Sequence, residues 1–144
     1  MTSPPEDRQP TVLVVEDDEL MRDAIARTLA HQGYLVLTAP TGHDAVGMVR
    51  NEGGPIDVVL LDVDLPDVSG VDLCARLREL RPDLPVVVCS GKAEPQEVAR
   101  LLELGVRRYF QKPVEPDECR MLQAVLVSSS GSRSRRSSWT GPVL

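Results

Sequence analysis

At 144 residues, 42% hydrophobic and 26% charged, the chain has the size and composition of one small globular domain able to bury a core. No apolar run approaches the roughly 20 residues of a membrane helix, and the polar, Pro-rich Met1–Pro10 is unlike a signal peptide, which points to a cytoplasmic protein. Residues 1–127 hold 13 basic against 22 acidic side chains, a net of −9, so a nucleic-acid backbone would be repelled.

Strands and helices alternate along the chain. Val12–Val15 reads as a buried strand that runs into Glu16, Asp17 and Asp18. Leu20, Ala24, Ile25, Thr28 and Leu29 then recur at helical spacing until Gly33 stops the helix, and Leu35–Thr38 reads as a second strand. The next helix, from about Gly42 to Asn51, turns Ala45, Val46 and Val49 inward and ends at Gly53, Gly54 and Pro55. A third strand, Val58–Leu61, ends on Asp62; after it, Ser69 caps a helix with Val71, Cys74 and Leu77 on one face. Pro82 and Pro85 bracket the turn into Val86–Val88, which runs through Cys89 to Ser90 and Gly91. Helix four spans about Pro95–Leu104, with Val98, Leu101 and Leu102 inward and Gly105 as its stop. The short strand Tyr109–Gln111 runs into Lys112-Pro113, and helix five starts near Pro116 with Cys119, Leu122, Val125 and Leu126 on one side.

Five strands alternating with five helices predict an α/β fold: a doubly wound, five-stranded parallel sheet with helices on both faces. Three parts follow: a flexible segment 1–10, a domain 11–127, and a Ser/Arg-rich tail 128–144 with seven serines and too little apolar surface to offset the entropy of ordering. The tail reads as a solvated end in preference to a linker or docking segment. Cys74, Cys89 and Cys119 are odd in number, far apart and without a CxxC pair, which predicts reduced, buried thiols. His31 and His43 read as surface residues.

In an open parallel sheet all strand ends meet at one edge, so acidic residues, an aspartate, a hydroxyl and a lysine converge there. Glu16, Asp17 and Asp62, if all ionised and dry, would strain one another by something on the order of 10 kcal/mol, which a cation relieves. All-oxygen ligands suit a hard ion such as Mg²⁺ or Mn²⁺. Taken alone, Asp17 or Asp18 is by default a helix cap, Ser90 a strand-end hydroxyl and Tyr109 an edge-of-core aromatic; together they point to chemistry.

This set resembles the receiver domain of two-component response regulators, over about Thr11–Val127. The resemblance makes Glu16 and Asp17 the acidic pair holding the metal with Asp62 and the backbone carbonyl of Asp64, and Asp62 the phosphoacceptor. It makes Ser90 and Lys112 the phosphate-binding pair, Ser90 and Tyr109 the switch, and Lys112-Pro113 a cis peptide. Gly91 stands where the family often has alanine. The implied function is transfer of a phosphoryl group from a phosphohistidine, on a sensor histidine kinase or histidine phosphotransfer protein, to Asp62 with Mg²⁺. The face of the fourth helix, fifth strand and fifth helix would then signal to an output partner not named by the sequence, and a homodimer through those helices is open to it. Such a protein promotes its own phosphorylation and dephosphorylation without turning over a separate substrate. It binds neither nucleic acid directly nor membrane, and it is a stand-alone receiver or a fragment. The resemblance also places the variable positions Asp64 and Lys92 beside the path of the water that ends the phosphorylated state, where their opposite charges either form an ion pair across the mouth of the site or stand as two solvated surface charges. Two alternatives differ in class. Asp62-Val63-Asp64 also looks like the nucleophile motif of haloacid-dehalogenase-like phosphatases, though those carry it on the first strand; the other is a receiver-like interaction module that is never phosphorylated.

Overall fold

A computed structural model describes residues 9–51, 55–92 and 94–126. In chain order its elements are β1 (Thr11–Val15), α1 (Glu19–His31), β2 (Leu35–Ala39), α2 (Gly42–Asn51), β3 (Val58–Asp62), α3 (Gly70–Leu80), β4 (Val86–Ser90), α4 (Pro95–Glu103), β5 (Arg108–Gln111) and α5 (Pro116–Arg120). After a turn at Met121, residues 122–126 are helical again.

The strands form one parallel sheet in the order β2-β1-β3-β4-β5. The runs of Val and Leu in β1, β3 and β4 are buried at every position, as strands covered on both faces must be. Alternation along each strand then divides the core in two. Leu13, Val15, Val59, Leu61, Val86 and Val88 face α2, α3 and α4, where Ala45, Val49, Leu73, Leu77 and Leu101 meet them. Val12, Val14, Val58, Leu60 and Val87 face α1 and the last helix, against Ile25, Leu29, Cys119, Leu122 and Val125.

Helix ends follow local chemistry. The Asp18 carboxylate accepts the Met21 N–H at 3.1 Å to cap α1, and Ser69 Oγ accepts the Asp72 N–H at 3.1 Å to cap α3. Gly33 and Gly105, at φ 102° and 94°, turn the chain out of α1 and α4 in a conformation that side chains resist.

Several inward faces bury other residues than expected. On α1 the buried stripe is Ile25 and Leu29 with Met21 beside it, so Leu20 is 81% exposed and Ala24 faces solvent. Along α4 the sheet takes Leu101, which leaves Leu102 44% exposed. In α3, Leu73 is fully packed and Val71 only half-buried. On α1 and α4 the sheet lies along one stripe, so a neighbour 100° round the helix falls outside it, whereas on α3 the stripe is wide enough to take both Leu73 and Cys74 and leaves Val71 at its edge.

Cys74, Cys89 and Cys119 are free and buried, and burial pushes the Cys74 and Cys119 thiols up to about 11. His31 and His43 are exposed. Among the described residues no helix is long and apolar enough to cross a membrane. The tail 128–144 lies outside the described residues, as does the N-terminal segment up to residue 8. Its last two residues are anchored: Gln9 Nε2 donates to the Gly33 carbonyl at 3.2 Å, and the Pro10 carbonyl accepts from Leu35 N–H at 2.9 Å.

Candidate phosphoryl-transfer and metal site

The chain winds from β1 outward to β2 and then returns to the other side of β1 with β3, so the switch point of the sheet lies between β1 and β3. At such a point the loops leaving neighbouring strands diverge and open a crevice at the strands' carboxyl ends. Glu16 leaves β1 there and Asp62 closes β3, with Val15 and Leu61 in register just below. Ser90 ends β4 and pairs in register with Gln111, which puts Lys112 beside it. The loops are tied through the main chain as well: Glu16 N–H donates to Ala39, Val63 N–H to Cys89 and Lys112 N–H to Ser90, at 2.9–3.1 Å.

Glu16 and Asp62 are each 1% exposed, and Ser90 is fully buried. Lys112 Nζ lies 3.0 Å from Glu16 Oε1 and 3.0 Å from Asp62 Oδ2. Burial works against the lysine's charge, but the bonds to Asp62 and Glu16 outweigh it and hold its pKa above the ordinary value. Glu16 is held above its ordinary value by burial and by the charge of Asp62, against the pull of Lys112 and of the Asp18 N–H. Asp62 Oδ1 accepts the Asp64 N–H at 2.9 Å, and Glu16 Oε2 accepts the Asp18 N–H at 3.1 Å.

A divalent cation fits this donor set. Glu16, Asp17 and Asp62 each offer a carboxylate oxygen, and the three lie within 4.8 Å of one another. One ammonium against three carboxylates leaves two negative charges uncompensated. Glu16 Oε1 is buried and makes no well-angled hydrogen bond, which leaves its remaining lone pairs available.

The Asp64 side chain does not pair with Lys92. Lys112 pairs with Glu16 and Asp62, and Arg120 with Asp117. Asp64 Oδ2 instead accepts the Ser90 hydroxyl at 2.9 Å, while Lys92 is exposed and donates its backbone N–H to Ser90 Oγ at 3.2 Å. A serine one strand away offers a shorter reach than a lysine that can stay hydrated. Tyr109 is half-buried against the α2–α4 side of the core, in register with Val88. The Lys112-Pro113 peptide is cis. A Cβ added to Gly91 would meet nothing within 4 Å, so packing does not require glycine there.

Two residues that shape the site escaped the sequence reading. Asp67, in the loop after β3, accepts the N–H groups of Gly42 and His43 at 3.0 Å each and so caps α2 from across the sheet edge; those bonds hold its carboxyl below the ordinary range. Gly70 opens α3 directly against Val63, where an added Cβ would lie 2.6 Å from the Val63 Cα. A carboxylate followed by Val-Ser-Gly signals a turn, but not which helix the turn will reach.

The family model for the response regulator receiver domain matches residues 12–125. A probable transcriptional regulatory protein of Picosynechococcus sp. is 38% identical over 107 residues, 71% of this chain and 43% of that protein. The chain spans about half the length of the curated relatives it matches, or less. Among solved structures, a CheY-like receiver domain from Methanospirillum hungatei JF-1 has a TM-score of 0.82 at 27% identity and covers 87% of this chain and 99% of that one. A response regulator from Burkholderia pseudomallei, solved with a phosphorylated aspartic acid, a calcium ion and citrate, has a TM-score of 0.73 at 26% identity over 89% of this chain and 73% of that one. The phosphatase alternative needs its aspartate pair on the first strand, whereas Asp62 closes the third and the family match runs through every element; the chain belongs to the response regulator receiver domain family.

Proposed function

We propose that the chain accepts a phosphoryl group on Asp62 and relays its presence to a partner. The observation that carries this reading is Lys112 Nζ at 3.0 Å from both Glu16 and Asp62, a fixed cation at the end of a buried strand with a three-carboxylate donor set beside it. Packing alone would not retain so many charges in so dry a place.

In the transfer, an Asp62 carboxylate oxygen forms a bond to phosphorus as the bond from phosphorus to the donor's imidazole nitrogen breaks, and that electron pair leaves with the nitrogen. Lys112 offsets charge on the phosphoryl oxygens, and Ser90 donates its hydroxyl to one of them. Glu16, Asp17, Asp62 and the Asp64 backbone carbonyl would hold Mg²⁺ or Mn²⁺, which supplies Lewis-acid stabilisation of the same charge. The donor is a phosphohistidine on a sensor histidine kinase or a histidine phosphotransfer protein, in the cytoplasm. Movement of Ser90 with Tyr109 then shifts the population of the α4-β5-α5 face. Leu102 on α4 and Met121 just after α5, at 44% and 37% exposure, supply apolar surface on those elements for an output partner or a second copy.

Acetyl phosphate with Mg²⁺ and intact-mass measurement test the reading. Wild type should gain one phosphoryl mass, labile to hydroxylamine, and Asp62→Asn should gain none. A hydroxylamine-resistant phosphate, or an equal gain in Asp62→Asn, refutes it; steady consumption of the donor with no adduct would favour a phosphatase.

A further inference from the structure

Ser90 has one hydroxyl proton, and in this structure it is given to Asp64 Oδ2 at 2.9 Å. The Ser90 oxygen in turn accepts the Lys92 N–H at 3.2 Å, so the hydroxyl's direction is set from both sides. Asp64 is placed through its own backbone: its N–H donates to Asp62 Oδ1 at 2.9 Å. One residue thus touches the acceptor aspartate through its main chain and the switch hydroxyl through its side chain. Among the described residues the Asp64 carboxylate has no ion-pair partner, which leaves it free to hold Ser90.

We propose that Asp64 is a positioning residue that holds the Ser90 hydroxyl in the resting form and competes with the phosphoryl group for its single proton. This deepens the reading of Asp62 as acceptor and rests on it. A hydroxyl donated to Asp64 cannot at the same time be donated to a phosphoryl oxygen, so switching must break a hydrogen bond to an ionised acceptor, a stronger kind than a neutral pair. The side chain at position 64 therefore sets how much phosphoryl-site occupancy is needed to move Ser90.

The test uses the full chain, isotope-labelled, with beryllium fluoride and Mg²⁺ as a stable mimic of the phosphoryl group. The Lys92 amide resonance reports on the Ser90 oxygen. Asp64→Ala should move that resonance in the resting protein and lower the beryllium fluoride concentration for half-conversion by about tenfold. Asp64→Asn keeps an oxygen that accepts from Ser90 and should stay within about threefold of wild type. In a Ser90→Ala background, Asp64→Ala should have no further effect. An undiminished effect in that background, or Asp64→Asn behaving like Asp64→Ala, overturns the proposal, because charge near the phosphoryl group would then explain it. If wild type neither responds to beryllium fluoride nor takes a phosphoryl group from acetyl phosphate, the reading of Asp62 fails instead. The resting Lys92 resonance then decides the tether alone: a shift in Asp64→Ala supports it and an unchanged position overturns it.

Discussion

Replacing Lys112 with methionine keeps the length of the side chain and removes its charge, leaving Glu16 and Asp62, each 1% exposed, facing one another without a cation. At 3.0 Å and an effective dielectric of 20, each contact is worth about 5.5 kcal/mol before desolvation is counted. Part of that offsets the burial of the lysine itself, which is 16% exposed, and breaking a buried pair by removing one partner costs about 3–5 kcal/mol net. At roughly 4 °C per kcal/mol for a domain of this size, metal-free Lys112→Met should melt about 10 to 20 °C below wild type. On the lysine side the choice of pH is not critical. A raised lysine pKa contributes its stability in full below the ordinary value of 10.5 and loses it only as pH climbs through the higher folded value, so neutral buffers hold the lysine charged. Mg²⁺ then separates charge from packing. At about 100 times its dissociation constant it stabilises by about 2.7 kcal/mol, and the variant, with three carboxylates and no ammonium, should recover at least that much. Thermal or urea melts with and without Mg²⁺ measure both effects. A metal-free variant within about 0.5 kcal/mol of wild type would falsify the electrostatic account of the site, since that is the range of an ordinary surface substitution.

Two further outcomes follow from the same geometry. Glu16 has a raised folded pKa, and an acid so shifted lowers stability as pH rises from its ordinary 4.5 through the folded value; metal-free protein should therefore gain stability from this group as pH falls through that window, and saturating Mg²⁺ should reverse the trend in urea melts. Gly70→Ala places a Cβ 2.5 Å from the Val63 Cβ, so it should destabilise by about 1–3 kcal/mol and slow phosphorylation as the loop after Asp62 shifts, whereas Gly91→Ala, with open space around it, should leave the melting curve unchanged.

The fold was legible because its signals are local. A short strand followed by a helical stripe, repeated five times and strongly apolar in the first, third and fourth strands, constrains the sheet before any contact is known. Ser69, Gly33 and Gly105 end or start helices by chemistry confined to a few neighbouring residues, and they do so at the expected places. What local pattern could not decide was rotation. Leu20 and Leu102 are as apolar as their buried neighbours, and only the position of the sheet against Ile25 and Leu101 leaves them in solvent.

The site divides along the same line. Glu16, Asp62, Ser90 and Lys112 could be placed because each sits at the end of a strand, and a parallel sheet brings strand ends together whatever the side chains are. Which partner each side chain takes depends on loop paths that carry no period. Lys92 and Asp64 have opposite charges on adjacent loops, yet an exposed ion pair contributes about 0–1 kcal/mol while ordering two long side chains, and a buried hydroxyl without an acceptor costs about 1–3 kcal/mol. Ser90 is the fully buried group of the three, so its demand for an acceptor outweighs the attraction of two hydrated charges, and the exposed Asp64 accepts from Ser90. The same reasoning covers Asp67: the N–H groups of Gly42 and His43 at the start of α2 need an acceptor, and the nearest carboxylate supplies it from another loop. In a site crowded with charge, the partners are set by which buried polar group would otherwise have none.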